Sequence, residues 1–312
     1  MPHLKKIIKI LRLGRIYFII PGFLIYLSGS LLSVLSGSNF EIKKFILGYL
    51  PLFFAQLSVS YSNDYYDMES DKKSNATIFS GGSKVLVNNP ELKYISKWIA
   101  VSLIILSIIL AVVLTLIFKI NYFFLIIIIL VNIIGWFYSA PPIKFSYRNL
   151  GELAIIICLG IAQPVTGYIV LSNNVSFNLF IFIVPFLIYS FVFALNVEIP
   201  DFEADRYANK KNLISSFGRK PGYFMILFTN LIVTVYLFII SSIGIIDKFI
   251  DYKIYGYFSL LPFLTILITF IYFVNTKKFS VKLIMFNISS LLLFLVFNNI
   301  YMHILIRLSR KF

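Results

Sequence analysis

The chain is short of the residues that most enzymes use for chemistry. It has 312 residues but only one cysteine, two histidines and 13 carboxylates. The lone Cys158 excludes an intramolecular disulfide and a cysteine metal cluster. His3 and His303 are too few for a three-histidine site. Charged residues make up 13%, against about 25% in a soluble domain. That scarcity argues against a disordered chain, a coiled coil or a soluble enzyme. Apolar residues fill the gap, at 59% with 18% aromatic, and mean hydropathy is +0.90. The chain reads as an all-α, polytopic membrane protein forming one domain over 1–312.

A helix crossing the hydrocarbon core needs roughly 20 apolar residues. Nine candidate spans follow: 16–36, 45–62, 98–118, 121–137, 151–171, 178–197, 222–245, 254–274 and 282–305. The second is the least apolar, because it carries Gln56, Ser58 and Ser60. The N-terminus, MPHLKKIIKILRLGRIYF, places a basic segment before an apolar one, as a signal peptide does. No small-residue cleavage site follows, so it reads as a retained first helix. Arg15 at its start could reach a site on that side, but reads first as a snorkelling orientation charge.

The net charge is +15. On a soluble protein that would suggest nucleic acid. Here the cations sit in short segments between apolar runs, which points to membrane orientation and away from a nucleic-acid partner. Of the 28 lysines and arginines, 20 fall in the set of alternate segments that contains the N-terminus and 8 in the other. The positive-inside rule makes that first set cytoplasmic. The expected location is the cell membrane, multi-pass, with the N-terminus inside.

The carboxylates divide more sharply. Glu41, Asp247 and Asp251 fall on the outer side, and the other ten on the cytoplasmic side. Eight of those ten lie in two stretches. One runs from Asn63 to Asp71, with acids at Asp64, Asp67, Glu69 and Asp71. The other has acids at Glu198, Asp201, Glu203 and Asp205. The pattern (D/E)xxDxExD thus occurs twice, and the two copies are offset by 134 residues. On a helix, i, i+3 and i+7 share a face. Asp64, Asp67 and Asp71 line one face, Glu198, Asp201 and Asp205 another, and Glu69 and Glu203 point elsewhere. Pro200 is expected to disturb the second face.

Several carboxylates gathered at membrane level repel one another and are costly to bury. Divalent cations remove both problems. Mg²⁺ takes oxygen ligands and is commonly held by one or two carboxylates plus substrate phosphates. Two opposed acidic faces could hold two or three Mg²⁺ ions with a diphosphate bridging them. Two other readings stand beside this one. Both runs could be solvated loop charge, although their repetition and shared side argue against it. A transporter or channel would also use intramembrane acids, but near helix centres rather than gathered on one side.

The motifs resemble those of the UbiA superfamily of intramembrane prenyltransferases. Its NDxxDxxxD signature is matched by Asn63, Asp64, Asp67 and Asp71. Its DxxxD signature is matched by Asp201 and Asp205, with Glu198 one turn earlier. A YSxPPxK signature is matched from Tyr138 to Lys144, followed by Arg148, Asn149, Leu150, Gly151 and Glu152. The resemblance implies a nine-helix bundle around a lipid-accessible cavity. It also implies Mg²⁺-dependent transfer of a polyprenyl group from its diphosphate to an acceptor, usually aromatic.

The segment Thr77–Val87, with its Gly81-Gly82-Ser83, looks more like the branch acting on 1,4-dihydroxy-2-naphthoate in menaquinone biosynthesis. The run from Asp205 to Leu213 resembles DRxAGKxTL of that branch, with Asn209 in place of Gly and Asn212 in place of Thr. Other prenyl acceptors, such as 4-hydroxybenzoate, a tetrapyrrole or an archaeal glycerol ether, and lipid-phosphate hydrolysis remain open.

The expected metal ligands are therefore Asp64, Asp67, Asp71, Glu198, Asp201 and Asp205. The same aspartates carry the catalytic assignment. Asn63 and Tyr138 are expected at the substrate. Lys72, Lys84, Lys144, Arg148, Lys210 and Lys211 could pair with diphosphate oxygens, Lys144 and Lys210 being preferred because the motifs cover them.

Overall fold

The structure is a computed structural model describing residues 2–73, 82–243 and 250–309, with no strand among them. Thr77–Gly81 and Asp247 lie outside the described residues.

The first helix departs from expectation. Helix α1, Pro2–Leu13, is separate from the first long apolar helix, α2, Ile19–Leu35. In α1, Leu4, Ile7, Ile8 and Leu11 recur at helical spacing and form an exposed apolar stripe among Lys5, Lys6, Lys9 and Arg12. That is the pattern of a helix lying along a membrane interface. The chain turns after it at Gly14 and Arg15, and Arg15 adopts the left-handed conformation (φ 40°). The Tyr61 hydroxyl donates to the Ile10 carbonyl at 3.1 Å and ties the end of α1 to the bundle.

Helix α3, Ile42–Asp71, has 30 residues, so it is about 45 Å long at 1.5 Å per residue. The expected span ended at residue 62; the helix instead runs on through the whole first acidic stretch. Next come α4, Lys93–Phe118, and α5, Tyr122–Phe137. Helix α5 has only 16 residues, about 24 Å, which is short of the ~30 Å hydrocarbon core. Eight helices among the described residues are long and apolar enough to cross a membrane, and α5 is the shorter ninth.

Helix α6, Gly151–Ser172, widens to π geometry over Ile156–Ala162. Helix α7, Phe177–Tyr207, has 31 residues and carries the second acidic stretch in its last turns. It continues through Pro200, and Arg219 Nε donates to the neighbouring Ile199 carbonyl at 3.1 Å. Helices α8 (Arg219–Ile243), α9 (Tyr252–Thr276) and α10 (Val281–Ser309) complete the bundle.

Helices α2 and α6 cross backbone to backbone. A Cβ on Gly29 would collide with the Pro164 carbonyl, and one on Gly167 with the Tyr26 carbonyl. Small residues at such crossings let helices approach where no water drives them together. One apolar core joins α2 to α7–α10, and a second joins α2 to α3–α6. The outward faces of α4, α5, α8 and α9 stay apolar: Ile109, Leu116, Phe123, Phe228 and Leu264 are all exposed. A multi-pass membrane protein requires such a surface.

Candidate active site

Helices α3 and α7 end on the same side of the bundle, and that brings the two acidic stretches together. A cavity of about 290 Å³ lies between them. Asn63, Asp67, Asp71, Tyr138, Asp201, Asp205 and Lys210 line its polar end. Phe18, Val59, Ile134, Ile155, Leu159, Phe193 and Val197 line the rest. The π-helical turns of α6 carry Cys158 and Leu159 into its wall.

Asp67 is held by three side chains. It accepts from Ser139 Oγ at 2.8 Å, the Tyr147 hydroxyl at 2.9 Å and Lys210 Nζ at 2.9 Å. Lys210 Nζ is also 4.0 Å from Asp205 Oδ1. One ammonium therefore touches both acidic stretches, 134 residues apart in the chain. Asp205 further accepts from Asn212 Nδ2 at 2.7 Å. Burial opposes the charge on Lys210, but the Asp67 and Asp205 carboxylates outweigh it and hold the ammonium well above its ordinary range. Burial and then the Asp67 charge raise Tyr147, which keeps its phenol protonated and donating. Burial, followed by the Glu198 charge, raises Tyr138 as well.

Asp64 does not line the cavity. It is buried behind the wall, paired with Arg15 Nη2 and with Ser83 Oγ. Arg15 does line the cavity and is itself mostly buried. It is a site residue rather than a snorkelling charge, placed there by the turn between α1 and α2. Its pattern left both roles open and favoured the other, because a lone arginine before an apolar run also suits orientation. Asp71 lies against Gly82 (φ 70°), where any Cβ would collide with its carboxylate. Lys84 Nζ reaches the Asp71 carbonyl from the left-handed start of the short helix Val85–Asn88.

Other expectations separate from the cavity. Glu198 is buried beside Glu152 rather than on the cavity wall, and its Oε2 has no hydrogen-bond partner among the described residues. Lys72 is exposed and pairs with Glu69 at 2.8 Å. Arg148 donates to the Pro142 carbonyl at 3.0 Å. Lys144 lies 4.9 Å over the Tyr147 ring, one residue type removed from Asp67. Lys211 accepts through its carbonyl from the Asn149 amide and serves the backbone there. Glu69 and Glu203 face outward as expected, toward Lys72 and Arg219.

The two departures from the motif have physical explanations. Asn209 stands where the pattern has Gly, and it takes the left-handed conformation (φ 55°), which Asn tolerates better than most residues. Asn212, in place of Thr, makes a capping box with Ser215 at the start of the short helix Leu213–Phe217 and also holds Asp205. Ser139, Tyr147, Ser83, Arg15 and Asn212 were not legible as site residues. Ser83, Ser139 and Asn212 lay inside sequence motifs, which was their only signal.

The donors facing the cavity are oxygens: four carboxylates and the Asn63 Oδ1, which is buried with no hydrogen-bond partner among the described residues. That set fits a hard cation. Among the described residues no three carboxylates converge tightly enough to enclose an ion alone. An ion here would take one or two protein carboxylates and complete its shell from solvent or substrate, as Mg²⁺ commonly does.

Comparisons with known proteins bear on the fold and the family. The fold is similar to a UbiA homologue from Archaeoglobus fulgidus solved with DMAPP and Mg²⁺, and again with GPP and Mg²⁺. Both have TM-score 0.69 and 18% identity, covering 96% of this chain and 99% of that one. A UbiA homologue from Aeropyrum pernix gives TM-score 0.65 at 14% identity, over 89% of this chain and 96% of that one. A 1,4-dihydroxy-2-naphthoate octaprenyltransferase from Bacillus subtilis is 23% identical over 201 residues, 62% of this chain. The match spans 63% of the length of that curated relative. The UbiA prenyltransferase family matches residues 23–291, which takes in all three motifs and every helix from α3 to α9, and the chain belongs to that family.

Proposed function

We propose that the protein transfers a polyprenyl group from its diphosphate to an aromatic acceptor in a Mg²⁺-dependent reaction. What carries this reading is the shared ammonium. Lys210 touches Asp67 and Asp205 at once, at the polar end of a cavity whose remainder is mostly apolar. Such a cavity suits a substrate with an anionic head and a hydrocarbon tail.

Asp67, Asp71, Asp201 and Asp205, with the Asn63 carbonyl, would share out the metal ions, one or two carboxylates to each; bound there, the metal would neutralise the diphosphate and improve it as a leaving group. Asp64 holds Arg15 at the cavity wall. Arg15 and Lys210 then offer fork and point donors to phosphate oxygens. Ser139 and Tyr147 fix the Asp67 carboxylate so that it does not rotate away. As the C–O bond breaks, positive charge spreads over the allylic carbons. The Phe18, Phe193 and Tyr138 rings border that space and can stabilise it. The apolar wall excludes water that would quench the cation. The electron-rich acceptor ring then attacks, and with dihydroxynaphthoate the loss of carbon dioxide restores aromaticity.

The acceptor favoured is 1,4-dihydroxy-2-naphthoate, supported by the Gly82-Ser83 segment packed on Asp71 and Asp64 and by the Bacillus relative. The placement favoured is the cell membrane with the acidic side cytoplasmic, supported by the lysine and arginine distribution. The test is product analysis with prenyl diphosphates and a panel of acceptors, with and without Mg²⁺. Prenylated naphthol is expected. Free prenyl alcohol alone, or transfer that persists after chelation, would overturn the reading.

A further inference from the structure

In the substrate-free protein Lys210 occupies the position between the two acidic stretches. Its Nζ is 2.9 Å from Asp67 Oδ2 and 4.0 Å from Asp205 Oδ1, with only 14% of the side chain exposed. Its backbone is pinned. The amide donates to the Asp205 carbonyl at 2.8 Å, and the carbonyl accepts from Ser215 Oγ at 2.8 Å. The side chain is not: a lysine stem has four rotatable bonds and ends in a point charge with no fixed bonding plane. The two carboxylates also keep other donors. Ser139 and Tyr147 still hold Asp67, and Asn212 still holds Asp205, if the ammonium leaves.

This arrangement has an electrostatic consequence. A divalent cation approaching Asp67 and Asp205 meets a fixed positive charge already between them, and like charges at contact distance in a buried site repel strongly. An arriving diphosphate gives that ammonium an alternative partner. We propose that Lys210 is an exchangeable counter-ion, which neutralises Asp67 and Asp205 in the resting protein and passes to the substrate diphosphate when a divalent cation takes those carboxylates. The inference rests on the reading of the site as a prenyl diphosphate site. It goes further in making metal and diphosphate binding mutually dependent through one residue. By linkage, each ligand must then raise the affinity for the other by the same factor. Lys210 is here a positioning residue for the loading step, beyond its contact with phosphate.

The experiment measures Mn²⁺ binding to the purified full chain from the loss of the free-ion EPR signal. It is done without and with the unreactive geranyl thiolodiphosphate, and corrected for metal bound by the analogue in buffer. In the wild type, Mn²⁺ alone binds weakly and the analogue tightens it. In Lys210→Met, Mn²⁺ alone binds about tenfold more tightly, within the 5–150-fold range typical of coupled sites, and the analogue adds little. Lys210→Arg, which keeps the charge, retains the wild-type coupling. If Lys210→Met does not fold, Lys210→Gln, which still donates to Asp67, carries the same expectation. A Met or Gln variant that binds Mn²⁺ alone no better than wild type, or keeps the full coupling, overturns the counter-ion role and leaves the site reading intact. A wild type that binds neither Mn²⁺ nor the analogue overturns both.

Discussion

Two groups of buried polar residues in the protein interior are built differently. The seam between α2, α7, α9 and α10 is neutral. Ser28 and Asn298, Asn287 and Asn196, Thr269 and Asn287, and Thr265 and Ser290 are each bonded at 2.8 to 3.0 Å. These groups satisfy one another, which is what a buried polar network must do to hold helices together. The end of α3 and α7 is charged, and among the described residues there acids outnumber cations. Asp64, Asp67, Asp71, Asp201 and Asp205 face Arg15 and Lys210, with Lys84 held on a carbonyl. The acids also sit at helix C-termini, where the peptide dipole already carries partial negative charge. A region that only held helices together would not be built this way.

The comparison breaks most severely at the charged end. Asp67→Asn keeps the size of the side chain but removes charge at the one residue bonded to Ser139, Tyr147 and Lys210. Transfer activity should fall by more than the roughly 10–100-fold typical of residues that only support a metal ligand. Turnover within a few-fold of wild type would remove Asp67 from the metal set. Asp201→Ala probes the opposing helix in the same way, and a similar loss is expected.

Supporting residues come next. Tyr147→Phe removes a 2.9 Å donor to Asp67 and nothing else in the cavity. About a 10–100-fold loss in Mg²⁺ affinity or activity is expected, with the melting temperature nearly unchanged. Mg²⁺ titration of turnover separates the two effects, and an unchanged Mg²⁺ dependence would make Tyr147 a packing residue only.

The neutral seam should behave in the opposite way. Asn287→Ala deletes bonds to Asn196 and Thr269. Bonds between membrane helices average about 0.6 kcal/mol and reach about 1.7 kcal/mol, so a loss of roughly 1 kcal/mol is expected. Unfolding in detergent measures it, and turnover per folded molecule should match wild type. A selective loss of activity would mean that the seam is not purely structural.

How much of this was legible depends on the range of the interaction. The spans were readable because a membrane helix declares itself by a run of apolar residues, and observed ends such as those of α6 and α9 fall within a few residues of expectation. The acidic faces were readable because i, i+3, i+7 spacing is local. Arg15 was not, because its role depends on a turn that brings the chain back to Asp64, 49 residues away. Glu198 was misjudged for a related reason. Its spacing put it on the ligand face, but in the structure it is buried beside Glu152 of another helix. Ser139 and Tyr147 face Asp67 only because the connection after α5 folds back on α3.

The smallest expected effect concerns Asn209, the residue where the family pattern has glycine. Its φ of 55° is a conformation that costs most L-residues about 1–2 kcal/mol, and Asn less than most. It comes directly before Lys210, so the turn it makes aims the ammonium at Asp67 and Asp205. Asn209→Gly should leave Mg²⁺ dependence and activity near wild type, because glycine adopts the same turn freely. Asn209→Val should cost stability and lower metal affinity together, because a β-branched residue resists a positive φ and pulls Lys210 off its two carboxylates. Equal behaviour of Gly and Val would mean that the turn is a passive link, and that Lys210 finds the acidic stretches without being aimed.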